Sequence, residues 1–168
     1  MTGIEANCAI NKTCLNKIYT GEFEVNTDYT QSQLEDAIQA GKLVLHNVNN
    51  EVRILEDVNS LVTTSETKGD IFKNNQTIRV ADQIANDIAV LFNTKYLGNV
   101  PNNESGRISL WTDIVKHHTQ LQDIGAIEDF TDENITVEAG NTKTSVVIND
   151  VITVINAMSQ LYMTVKIA

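Results

Sequence analysis

The sequence predicts an α+β fold in which two long antiparallel helices pack on a mixed or antiparallel sheet. Two stretches in the middle of the 168-residue chain repeat apolar residues every three or four positions, which indicates long amphipathic helices. The end of the chain is β-branched and alternates in polarity, which indicates strands. An N-terminal helix plus a β-hairpin, and a C-terminal β-strand arm, complete the predicted architecture.

The N-terminal helix is predicted over residues 31–40. Thr30 and Gln33 have the spacing of a capping box, in which each residue's side chain bonds to the other's backbone N–H at the helix start. Gly41 follows the last helical residue and can adopt the left-handed conformation that ends many helices.

The hairpin is predicted from two runs rich in Val, Leu and Ile, residues 42–48 and 51–56. Asn49 and Asn50 lie between them, and asparagine tolerates a positive φ at little cost. We therefore expect a two-residue type I′ turn, whose twist matches that of paired strands.

The two long helices are predicted over residues 76–97 and 107–124, and Gly98 and Gly125 end them. The connecting loop is short, so we expect the helices to run antiparallel. Five large side chains on their apolar faces are expected to pack the helices against each other or against the sheet: Ile84, Ile88, Phe92, Trp111 and Val115.

The rest of the chain is predicted to be strand. Residues 127–130 and 135–138 form short strands, and residues 145–155 form one long strand. Residues 156–160 are predicted to turn tightly before a final strand over residues 161–167, in which apolar and polar side chains alternate. This last strand either pairs within the chain or is offered to another chain.

Charge and hydropathy exclude several classes of protein. The chain carries 12 Lys and Arg against 22 Asp and Glu, a net charge of −10, which argues against binding to nucleic acid or to an anionic membrane. It contains no run of 18 apolar residues, and its N-terminus lacks the apolar core of a signal peptide. The prediction is therefore of a chain made in the cytosol, where Cys8 and Cys14 are ordinary reduced thiols.

Catalytic motifs are weak. Asp113 and His117 lie four residues apart on a predicted helix and could face one metal ion, but no third ligand has a recognisable spacing, and a solvated surface pair is the commoner arrangement. His118 lies on the apolar stripe, where a hydrogen-bonded core histidine is usual. The chain has no phosphate-binding glycine loop and no nucleophile elbow. We expect no enzyme activity, no metal and no cofactor.

Several segments, taken together and in order, resemble the tail sheath proteins of contractile phages. The resemblance is to the group found in defective prophages and phage-tail-like bacteriocins of Gram-positive bacteria, and it runs from about residue 21 to the end of the chain. The segments that carry it are residues 68–75, 79–87, 96–100, 102–107, 121–130 and 157–165.

The resemblance is to the C-terminal inner domain of that family's subunit. It implies an irregular lead-in over residues 1–20, the truncated end of a preceding domain. It further implies a sheath C-terminal (inner) domain over residues 21–160 and a C-terminal strand arm over residues 161–168.

The function implied by the resemblance is structural. Sheath subunits form hexameric rings, stacked helically around an inner tail tube protein, and contraction drives the tube through a cell envelope. The implied partners are neighbouring sheath subunits and the tube protein, with no nucleic acid and no membrane. The implied location is a phage or bacteriocin particle assembled in the bacterial host cytoplasm. From the net charge of −10, we further infer that acidic residues of the sheath face basic residues on the tube.

Subunits of this family exchange terminal strands, which implies roles for the end of this chain. The implied inter-subunit strand comprises Leu161, Tyr162, Met163, Thr164, Val165, Lys166 and Ile167. The implied hinge before it comprises Asn156, Ala157, Met158, Ser159 and Gln160. In isolation, we expect the strand to fold back onto residues 145–155 or to dimerise.

Two alternative functions are kept open. The first is a small metal-dependent enzyme that uses Asp113 and His117. The second keeps the fold and places it in a sheath-like protein of a secretion system or of a baseplate.

Overall fold

The computed structural model describes residues 2–167, so Met1 and Ala168, the two ends of the predicted lead-in and arm, lie outside the described residues. The chain divides into two compact units. The first unit comprises the residues up to Ile78 together with those from Asn156 onward, and the second unit is Arg79–Ile155. Among residues 2–167, no helix combines the length and apolar composition needed to cross a membrane.

The first unit contains two helices and a hairpin. Helix α1 is Thr2–Ala6, helix α2 is Gln31–Gln39, strand β1 is Leu45–Val48 and strand β2 is Glu51–Ile54. A 3-10 helix, Asp70–Lys73, lies further along the chain.

The helix and hairpin predicted in this unit are confirmed. Both hydrogen bonds of the capping box are present at α2, from Gln33 N to Thr30 Oγ1 (3.3 Å) and from Thr30 N to Gln33 Oε1 (2.9 Å). Asn49 and Asn50 have φ values of 52° and 67°, as a type I′ turn requires.

The predicted lead-in packs against this hairpin. Cys8, Cys14 and Ile54 are buried together as an apolar cluster, and Ile18 forms an isolated antiparallel bridge with Arg53 of β2. Helix α1 and this bridge are the regular structure of the lead-in among the described residues.

The second unit is built on two long helices. Helix α3 is Asn75–Leu91, begins in the first unit, and is followed by a π-helical turn, Phe92–Tyr96. Helix α4 is Glu104–Asp123. It begins three residues earlier than predicted because the Asn103 side chain accepts a hydrogen bond from Gly106 N (2.8 Å) and caps the helix.

Four short strands complete the second unit: β3 (Ile127–Glu128), β4 (Ile135–Ala139), β5 (Val146–Asp150) and β6 (Thr153–Val154). A 3-10 turn, Asp132–Asn134, separates β3 from β4. Among the described residues, the strands pair in three two-stranded antiparallel ladders, β1–β2, β3–β6 and β4–β5, besides isolated antiparallel bridges such as that of Ile18 with Arg53. The predicted α+β class is thus confirmed, with pairing spread over three ladders.

The prediction of one long strand over residues 145–155 is wrong. Its first part is β5, which pairs with β4, and its last part is β6, which pairs with β3. The cause lies in the partner strands, because β3 and β4 are separated by Asp129 at φ 54° and by the 3-10 turn. A straight strand could not follow both partners across that break.

The core of the second unit lies between the helices and the β4–β5 ladder. Its buried cluster is Tyr96, Leu110, Ile114 and Ile135. The residues predicted to form the core take part, since Ile84 is buried and the other four pack against this cluster: Ile88, Phe92, Trp111 and Val115. Trp111 Nε1 also donates to Ile135 O (3.0 Å), which ties α4 to β4.

Candidate functional site

The end of the chain is an exposed apolar segment, which we call the C-terminal arm (residues 158–167). Met158 is 98% exposed and Ile167 is 97% exposed, and the apolar side chains between them are also exposed: Leu161, Tyr162, Met163 and Val165. Soluble proteins seldom leave so many large apolar side chains in contact with water over one continuous stretch. The arm therefore has the composition of a segment that another surface covers.

The strand predicted over residues 161–167 is not formed within the described chain, and the arm does not fold back onto residues 145–155. Of that segment, β5 already pairs with β4 and β6 with β3. A strand needs a partner for its N–H and C=O groups, and alternation in the sequence indicates only the capacity to pair.

The residues just before the arm are held in place. Ala157 N donates to Gln76 Oε1 (3.1 Å), and Thr77 Oγ1 donates to Asn156 Oδ1 (3.2 Å). Gln76 and Thr77 are buried in the first turn of α3. Of the five residues predicted as a hinge, the first two are thus anchored by hydrogen bonds, although all five are exposed.

Sequence reasoning missed this anchor. Gln76 lies 81 residues before Ala157, and a glutamine near a helix start has no spacing that marks such a contact. Only the three-dimensional arrangement could find it.

The second unit contains an apolar cleft beside β5. A cavity of about 320 Å³ opens among side chains from α3, α4, β5 and the short link between β5 and β6. Its lining residues are Ala81, Ile84, Ala85, Ile88, Ile114, Ile148, Asp150 and Ile152. Within the described residues, β4 and β5 each pair on one side only, so each has a second edge with backbone groups available for pairing.

The structure does not bring Asp113 and His117 together as metal ligands. Asp113 Oδ2 accepts hydrogen bonds from Lys95 Nζ and Tyr96 Oη, whereas His117 Nε2 lies 3.0 Å from Asp87 Oδ2. Burial acts to raise the pKa of Asp113, but these hydrogen bonds outweigh it and hold the pKa below its ordinary value. The pair belongs to two separate polar contacts on α4.

The prediction for His118 is confirmed. The ring is fully buried, its Nε2 lies 2.9 Å from Asp150 Oδ2 at the end of β5, and its Nδ1 lies 3.0 Å from Ile114 O. Both ring nitrogens have partners, so His118 is a hydrogen-bonded core residue.

Two family models match the chain. The model described as the phage tail sheath C-terminal domain matches residues 67–168, and the model described as the phage tail sheath protein central domain matches residues 1–60.

Similar sequences carry related descriptions. A tail sheath protein of Clostridium phage phiCD119 is 29% identical over 117 residues, which cover 70% of this chain and 32% of that protein. The phage-like element PBSX protein XkdK of Bacillus subtilis is 26% identical over 176 residues, which cover 99% of this chain and 38% of that protein. The chain thus spans about a third of the length of these relatives.

Solved structures of sheath proteins are similar in fold to this chain. The sheath tail protein from Desulfitobacterium hafniense is 28% identical, with a TM-score of 0.82 over 92% of this chain and 36% of that one. The contracted helical sheath of the anti-feeding prophage is 15% identical, with a TM-score of 0.74 over 98% of this chain and 47% of that one, and this likeness concerns the fold alone.

Proposed function

This chain belongs to the phage tail sheath family, and from that membership we propose that it acts as a linking part of a contractile sheath subunit. In this proposal, subunits assemble around an inner tube and contraction drives the tube through a cell envelope. Within the subunit, this chain holds neighbouring subunits together while they move.

The observation that carries this proposal is the exposed C-terminal arm. Its apolar side chains are in water in the single chain, although those of Leu161, Met163 and Val165 would lie on one face of a strand. A second copy of the chain offers an unpaired ladder edge for the backbone of such a strand. It also offers an apolar cleft beside β5 for the apolar side chains.

The proposed inter-subunit strand is long enough to pair along β5. Residues 161–167 would extend over about 23 Å as a strand, and the five residues of β5 extend over about 17 Å, at about 3.3 Å per residue. The proposed inter-subunit strand can therefore cover the whole of β5, with backbone hydrogen bonds along its length.

Strand addition suits a sheath mechanically. The bonds that hold the link are made by the backbone, while the segment that leads to it can bend as subunits rotate. Of the predicted hinge, residues 156–160, we place that bending in residues 158–160, beyond the two anchored residues Asn156 and Ala157.

The wider assembly follows from the family. We propose hexameric rings stacked helically, contact with an inner tail tube protein, and a place in a phage or bacteriocin particle, assembled in the host cytoplasm. The division into a lead-in (1–20), a sheath inner domain (21–160) and a C-terminal strand segment (161–168) remains a prediction. A sheath-like role in a secretion system or baseplate uses the same link, whereas the metal-enzyme alternative loses its basis because Asp113 and His117 have different partners.

Gln76→Leu should release the anchor of the arm. The leucine cannot accept the hydrogen bond from Ala157 N, so exchange of that amide with deuterium should become at least about tenfold faster. Hydrogen exchange measured by NMR checks this. Gln76→Glu keeps a side-chain oxygen at the same position and serves as the control. Equal protection of the Ala157 amide in the wild type and in both variants would show that Gln76 does not anchor the arm.

Binding to the tube should weaken with salt if the net charge of −10 contributes to it. Raising the ionic strength from about 0.01 M to about 1 M shortens the Debye length from about 30 Å to about 3 Å, which screens exposed charges. Co-sedimentation with purified tube measures this, with an unrelated protein of equal net charge as the control. Binding that does not change over this range would leave the acidic residues a role in solubility only.

A further inference from the structure

The first unit brings two thiols and two carboxylates together. The Cys14 sulfur, a Glu5 carboxylate oxygen and an Asp57 carboxylate oxygen all lie within 4.8 Å of one another. Cys8 belongs to the same buried cluster as Cys14. Cys14 and Asp57 are fully buried, and Cys8 is 8% exposed. These residues come from α1, from the loop after it and from the segment after β2, so no local spacing in the sequence marks the group.

We propose that Cys8, Cys14, Glu5 and Asp57 form a structural site for a zinc-class divalent cation. Zinc is bound in proteins by thiolate sulfur and carboxylate oxygen, and structural sites have four protein ligands in a closed, buried setting. The four side chains supply two sulfurs and two oxygens. This site is independent of the C-terminal arm and of the proposed sheath function.

The placement of the cluster suits a cation. The sulfur and carboxylate groups converge in a buried setting, where a divalent ion can be bound by several side chains at once. When such an ion binds the two sulfurs, the thiol protons leave to solvent and the ion's two positive charges compensate the thiolates.

Hydrogen bonds already orient the Asp57 carboxylate. Its Oδ2 accepts from Cys14 N (2.8 Å) and from Thr13 Oγ1 (2.9 Å), and its Oδ1 accepts from Asn75 Nδ2 (2.9 Å). Such outer contacts hold the ligands of metal sites in place. The Lys17 ammonium lies 3.5 Å from the Cys8 sulfur, on a flexible side chain that can move aside for the ion.

Cobalt(II) tests the site directly, because thiolate ligands give it a charge-transfer absorption that carboxylates and water do not. The reduced protein is titrated with Co²⁺ alone, and zinc is then added to displace it. We expect one equivalent of Co²⁺, the thiolate band, and at least about a hundredfold weaker binding in the Cys8→Ser, Cys14→Ser double variant. Asp70→Asn, which changes an exposed carboxylate outside the cluster, is the matched control and should bind as the wild type does.

A second measurement does not depend on the folding of any variant. Competition between the wild-type protein and a chromophoric chelator gives its zinc affinity, and the thermal midpoint should rise with added zinc. Absence of the thiolate band in the wild type, an undiminished band in the double variant, or a midpoint unmoved by zinc would each overturn the proposal.

Discussion

Val165→Pro is expected to abolish assembly of the sheath subunit that carries this sequence, while leaving the isolated domain folded. Proline has no backbone N–H and its ring disfavours a position in a paired strand, so the proposed inter-subunit strand loses a hydrogen bond in its middle. Val165 is 74% exposed in the single chain, so the domain itself loses no buried contact. Electron microscopy of assembled sheaths and circular dichroism of the domain measure the two effects separately.

Val165→Thr is the matched control for this experiment. Threonine is β-branched, keeps the backbone N–H and has a high preference for strands, so assembly should be preserved. Sheaths of normal length and yield from the proline variant would show that the arm is not the link between subunits.

Ile114→Ala should lower the free energy of unfolding by about 2–5 kcal/mol. Ile114 is fully buried in the middle of α4 and belongs to the cluster with Tyr96, Leu110 and Ile135. The substitution removes buried methylene and methyl groups and leaves a cavity whose lining loses packing contacts. Urea denaturation followed by circular dichroism gives the change.

Ile108→Ala on the same helix is the matched control, because Ile108 is 55% exposed and its truncation should change the free energy by no more than about 0.5 kcal/mol. A loss below about 1 kcal/mol for Ile114→Ala would mean that α4 does not place this side chain in the core.

Local features of the fold could be predicted from the sequence because they depend on neighbouring residues. The capping box of Thr30 and Gln33, the Asn49–Asn50 turn and the glycines at positive φ after the helices are all decided within a few positions. The stripes of α3 and α4 likewise identified the core, since their spacing fixes which side chains share a face.

Features that depend on distant residues could not be predicted. The break between β5 and β6 follows from the break between their partners, and its local sign is limited to Asn149 and Asp150, two residue types that are depleted in strands. The contact between Cys14 and Asp57 joins positions 43 apart, and neither residue belongs to a recognisable metal motif. In the arm, alternation predicts a strand that the described chain does not form, and the partner that such a strand requires is not encoded nearby.

The most direct test of the proposed link is a photo-cross-link from the arm in assembled particles. A photoreactive residue in place of Met163, which is 75% exposed in the single chain, is activated in sheaths built from a mixture of isotopically light and heavy subunits. We expect cross-linked peptides of mixed isotope label that join the arm of one subunit to β5 or the cleft-lining residues of α3 in another. Cross-links found only within single subunits, or only to the tube protein, would contradict it.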